Sequence, residues 1–95
     1  MQITVLDFTA KWCGPCRTLT PLLHAVATEY RGDVAVTEID VDDDPVSAQR
    51  YDVRAMPTLV LVRDGREVGR VVGVRNRAYL QRMLDRATTG DVAIV

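Results

Sequence analysis

A chain of 95 residues, 47% hydrophobic and 26% charged, has the size and composition of one globular domain, and its apolar content excludes disorder as its main state. A formal net charge of −1 leaves no basic field to hold nucleic acid or an anionic membrane surface. The longest apolar runs, Leu59 to Val62 and Val71 to Val74, are too short to span a bilayer. Met1 to Phe8 has no basic flank and no small-residue cleavage site, so no signal peptide is expected and the expected location is the cytoplasm.

Along the chain, Ile3, Val5, Leu6 and Phe8 make Met1 to Phe8 a buried strand. After Cys13, Leu19, Leu22, Leu23, Val26, Ala27 and Tyr30 recur at helical spacing and predict an amphipathic helix closed by Gly32, with Pro21 inside it. Val34 to Val41 is a second strand. The acidic run from Asp40 to Asp44 reads as a solvated loop, because the glycine and ligand spacing of a calcium loop are missing. Asp44-Pro45 is an N-cap followed by a first-turn proline, opening a short helix through Tyr51. Thr58 to Val62 and Glu67 to Val72 are strands joined by a turn at Asp64-Gly65. Leu80, Met83, Leu84 and Ala87 predict a last helix ending near Thr89-Gly90. The expectation is one α/β domain over residues 1–90, with residues 91–95 as a tail. The order β-α-β-α-β-β-α calls for a four-stranded mixed sheet flanked by helices.

The two cysteines are Cys13 and Cys16, three positions apart. Cys13 falls where the first helix begins, so unpaired N–H groups favour its thiolate. Cys16 lies one turn along the same face, within the reach that a disulfide needs. Pro15 stiffens the first turn without removing a needed hydrogen bond. The pair is therefore a dithiol able to attack a disulfide and then resolve the adduct. Zinc is the competing reading, but Cys13, Cys16 and His24 cannot complete a four-ligand site within one chain. Haem attachment would need histidine where Arg17 stands. His24 lies off the apolar stripe and reads as a surface residue.

The segment Trp12-Cys13-Gly14-Pro15-Cys16 resembles the active-site motif of the thioredoxin family, and the resemblance extends over roughly residues 3 to 88. Val5-Leu6-Asp7-Phe8, Pro21, Asp40-Val41-Asp42, Met56-Pro57-Thr58, Asp64-Gly65 and Gly73 all match the family's pattern. The resemblance implies a thioredoxin-like fold that lacks the usual N-terminal strand and helix, leaving the Val34 strand as an edge. It implies a thiol–disulfide oxidoreductase with Cys13 as exposed nucleophile, Cys16 as buried resolving thiol and Asp7 as the buried carboxylate assisting proton transfer. Gly14, Pro15 and a cis Pro57 would support the site, and Trp12, Met56, Gly73 and Val74 would form the rim that receives substrate. It implies no bound cofactor and no metal beyond the redox-active Cys13–Cys16 disulfide. Partners would be disulfide-containing proteins and a thioredoxin-reductase-like donor, with a monomeric protein and no role for nucleic acid or membrane. An oxidase or isomerase of the same fold, or a binding module using the apolar rim, are the alternatives. Two departures from the family stand out: Thr9 replaces a tryptophan, and Glu38 replaces a lysine beside the buried aspartate. A Glu38 carboxylate aimed at Asp7 would raise the Asp7 pKa further than burial alone, whereas one turned to solvent would not.

Overall fold

The computed structural model describes residues 2–89; the tail expected at 91–95 lies outside them. Apolar alternation and the turn residues place the elements in the expected order. They are β1 (Ile3–Thr9), α1 (Gly14–Ala27), a 3-10 turn (Thr28–Tyr30), β2 (Val34–Asp40), α2 (Pro45–Arg50), β3 (Thr58–Arg63), β4 (Arg66–Val72) and α3 (Arg77–Thr89). The sheet order is β2-β1-β3-β4. β1 runs parallel to β2, as a β-α-β crossover requires, and antiparallel to β3, which pairs antiparallel with β4. Among the described residues β2 is an edge strand, and it carries Glu38 and Asp40, charges that disfavour edge-to-edge pairing.

One face of the sheet holds the main core. Ile3, Val5, Leu59, Leu61 and Val71 pack against Leu19, Leu23 and Val26 of α1 and Leu80, Met83, Leu84 and Ala87 of α3. These are the helical stripes that the spacing predicts. On the other face Phe8 packs against Tyr51 at the end of α2, with ring centroids 5.8 Å apart, so helices flank both faces. The predicted first helix is divided: its last turn is 3-10, and Arg31 at φ 51 ends it ahead of Gly32. Tyr30, on that turn, reaches α3 through its hydroxyl, which donates to Gln81 O at 2.9 Å.

The turns follow residue chemistry. Asp64 and Gly65 take φ of 52° and 77°, the pair of left-handed residues that a two-residue hairpin needs. The register shifts between Leu61 and Val62, which pair with Gly69 and Glu67, so Val68 is the extra residue of a bulge in β4. Asp44 caps α2, accepting from Ser47 N at 3.0 Å, and this bond together with one from the Ser47 hydroxyl holds the Asp44 carboxyl below its usual range. Asn76 caps α3, accepting from Tyr79 N at 2.9 Å, a cap that the sequence reading did not single out.

Candidate active site

β1 delivers the chain to Ala10, and the backbone N–H of Cys13 bonds back to Ala10 O at 3.0 Å. Cys13 is then the N-cap of α1, in extended conformation. Its Sγ accepts the backbone N–H of Cys16 at 3.2 Å, the place where serine or aspartate oxygen stands in an ordinary cap. Cys13 and Cys16 form a disulfide with Cα atoms 5.4 Å apart. The sulfurs sit in a small apolar cluster with Ala10, Val41 and Met56.

One expectation needs correction. Cys13 is not the exposed partner of a buried Cys16: the two are 4% and 2% accessible. In the disulfide both side chains turn toward each other, and the cluster around them covers Cys13 as well. The distinction between them is positional. Cys13 precedes the helix and takes its N–H group; Cys16 lies within the first turn.

Pro57 is buried and follows a cis Met56–Pro57 bond, as the resemblance implies. Gly73 N–H donates to Pro57 O at 2.9 Å, tying the end of β4 to that loop. Gly73 has φ 94°, and a Cβ there would lie 3.3 Å from the Arg75 guanidinium, so the position calls for glycine. Trp12, next to Cys13 in the chain, and Val74 are exposed, at 65% and 42%, and Met56 is half-buried against the disulfide cluster. The Trp12 indole donates to Asp42 Oδ2 at 2.8 Å, and Asp40 Oδ1 accepts from the Asp42 backbone at 2.9 Å. The acidic run is thus a built loop that anchors the tryptophan, a role the sequence reading did not assign. Gly14 opens α1, and a side chain there would meet no protein atom within 4 Å. Its lack of a side chain keeps that surface open without being demanded by internal packing. A groove of about 660 Å³ runs between Thr9–Lys11 and Thr37–Asp40 along the β2 edge.

Asp7 is fully buried in β1. The Thr20 hydroxyl donates to Asp7 Oδ2 at 2.6 Å, while Oδ1 is buried with no hydrogen-bond partner. Burial pushes the Asp7 carboxyl above its usual range; the Thr20 bond opposes that, the Glu38 charge adds to it and His24 opposes it. Glu38 is the register partner of Asp7 on β2. Its carboxylate turns outward to His24 Nε2 at 2.7 Å, yet its charge still acts on Asp7. His24 is exposed as expected, and Glu38 is its partner. Among the described residues no group of His, Cys, Asp and Glu is placed to hold a metal ion, and no helix is long and apolar enough to cross a membrane.

A cysteine pair joined across the first turn of a helix, at the end of a central strand of a mixed sheet, defines a thiol–disulfide oxidoreductase whose redox centre is its own disulfide. The thioredoxin family model matches residues 1–86, and the chain belongs to the thioredoxin family. It is 38% identical over 84 residues to thioredoxin of Staphylococcus aureus, an alignment covering 88% of this chain and 81% of the relative. The fold is similar to the crystal structure of Fasciola hepatica thioredoxin, with a TM-score of 0.81, 41% identity, and 90% and 80% of the two chains covered. It is equally similar to the germline-specific thioredoxin Deadhead of Drosophila melanogaster, with a TM-score of 0.82, 35% identity and the same coverage, 90% and 80%. Membership implies disulfide-containing protein substrates and a reductase as electron donor, and the enzyme works through Cys13 and Cys16 without a bound cofactor.

Proposed function

We propose that the protein is a cytoplasmic, monomeric, single-domain reductant of disulfides in other proteins, carrying electrons from a flavin- and NADPH-dependent reductase. The observation that carries this reading is the bond from Cys16 N–H to Cys13 Sγ at the start of α1. In the reduced enzyme that N–H and the helix terminus stabilise the Cys13 thiolate at neutral pH. The thiolate attacks a substrate sulfur, forming a mixed disulfide and releasing the other substrate sulfur as a thiolate, which takes a proton from solvent. Cys16 then loses its proton to the Asp7 carboxylate and attacks Cys13 Sγ. The Cys13–substrate bond breaks, the second substrate sulfur leaves, and the Cys13–Cys16 disulfide forms. Two electrons have moved from the enzyme dithiol to the substrate disulfide.

The rim suits an extended protein segment. Trp12 and Val74 are exposed apolar surface, Met56 packs against the disulfide cluster, Gly73 is tied to Pro57 by a backbone bond, and Gly14 leaves room for a chain to approach. Pro15 stiffens the first turn of α1, and Pro57 lies in the segment leading into β3. Proline between the cysteines, where isomerases carry histidine, supports reduction over oxidation or isomerisation.

The test is the reduction potential of the Cys13–Cys16 couple, measured by equilibration with glutathione. A reductant of this family is expected near about −270 mV, whereas a value near about −120 mV would place the protein among the disulfide oxidases.

A further inference from the structure

We propose that Thr20 is a positioning residue for the proton transfer at Cys16: its hydroxyl occupies Asp7 Oδ2 and so leaves Oδ1 as the oxygen that receives the proton. The inference rests on the reading of Asp7 as the base for Cys16.

Three observations carry it. Thr20 follows Cys16 by four residues on α1, and His24 follows Thr20 by four, so the three share one helical face. Against that face lie Asp7 of β1 and its register partner Glu38 of β2. The result is a polar strip running from the buried sulfur to the surface pair His24–Glu38, with Asp7 and Thr20 in its middle. Within the strip the two Asp7 oxygens differ. Oδ2 accepts a 2.6 Å bond from the Thr20 hydroxyl, and Oδ1 is buried and unpartnered. A buried carboxylate oxygen without a donor is costly to maintain. It is also the more basic of the two, because Oδ2 already accepts the Thr20 bond.

In the mixed disulfide the Cys16 thiol proton moves to Asp7 Oδ1 as Cys16 Sγ bonds to Cys13 Sγ and the substrate sulfur departs. Thr20 keeps its own proton throughout and holds the carboxylate plane. The charged groups acting on Asp7 are His24 on α1 and Glu38 on β2; on β3 the register partner is the apolar Leu59. A hydroxyl donor favours the ionised carboxylate, so Thr20 also keeps Asp7 available as a base to lower pH than burial alone would allow.

The experiment compares pH profiles of protein-disulfide reduction for the wild type, Thr20→Val, Thr20→Ser and Asp7→Asn, with a carbon-detected NMR titration of the Asp7 carboxyl in each protein that retains it. Thr20→Val removes the donor and is expected to move the acid limb to higher pH. Rates on that limb should fall by roughly tenfold to a hundredfold, the range for losing a hydrogen bond to a charged group, with little change on the alkaline plateau. Thr20→Ser restores the hydroxyl and should restore both the limb and the Asp7 titration. A uniform loss in Thr20→Val at every pH, with an unmoved limb and unmoved Asp7 titration, would reduce Thr20 to packing and overturn the inference. In that case a limb still abolished in Asp7→Asn keeps the reading of Asp7 intact. An Asp7→Asn profile that coincides with wild type overturns the Asp7 reading and this inference with it.

Discussion

The backbone N–H of Cys16 points at Cys13 Sγ from 3.2 Å, so the second cysteine of the pair contributes to the reactivity of the first before its own sulfur takes part. This relation is built by the N-cap position of Cys13. It also makes the two sulfurs unequal even though both are buried, since the helix terminus favours negative charge on the capping sulfur alone.

Cys13 should therefore react before Cys16 when the reduced protein meets limiting iodoacetamide at neutral pH. Peptide mass mapping after brief exposure reads the site directly. Predominant labelling of Cys16 would reverse the assigned roles.

The charges of Glu38 and His24 act on the Asp7 carboxyl in opposite directions. Replacing Glu38 with lysine removes a charge that raises the Asp7 pKa and adds one that lowers it. The acid limb of disulfide reduction in Glu38→Lys should move to lower pH than in wild type, and Asp7→Asn should abolish the part of the limb due to Asp7. A limb that stays in place in Glu38→Lys would show that the two carboxyls are not coupled.

Asp7 also links stability to pH. Its folded-state pKa lies above the ordinary value of 3.8, so the folded protein holds a proton there that the unfolded chain has released. Stability is thus lost as pH rises from the ordinary carboxylate value through the raised one, and the loss is complete above it. Asp7→Asn removes that dependence. Urea titrations of the oxidised proteins across acidic to mildly alkaline pH should show the variant gaining on wild type as pH rises. A constant difference between them would mean that Asp7 titrates normally in the folded protein.

Much of this was legible in the sequence, for local reasons. Leu80, Met83, Leu84 and Ala87 announce their helix by spacing, and Asp64-Gly65 announces its hairpin by left-handed propensity. Asp7 stood out because a lone carboxylate in an apolar strand needs an explanation. What escaped reading depends on residues brought together from a distance. Thr20 reads as an ordinary helical threonine until β1 packs beside it, thirteen positions earlier in the chain. Asp42 looked like one more solvated acid in a run, and only the fold sets it beneath the Trp12 indole thirty positions away. The burial of Cys13 was missed for a related reason: Val41 and Met56 close over it from two separate loops. Spacing alone revealed the pairing partner of Cys13 but not its cover.

The central claim is that electrons pass to a protein disulfide through a covalent adduct on Cys13 that Cys16 resolves. The most direct measurement is trapping with Cys16→Ser, incubated reduced with an oxidised protein substrate and analysed on non-reducing gels with mass mapping. The account predicts a mixed disulfide through Cys13 that accumulates in this variant, is transient in wild type, is absent in the Cys13→Ser, Cys16→Ser double variant, and is released by dithiothreitol. A folded Cys16→Ser protein that forms no such adduct, or a double variant that still retains the partner, would contradict it.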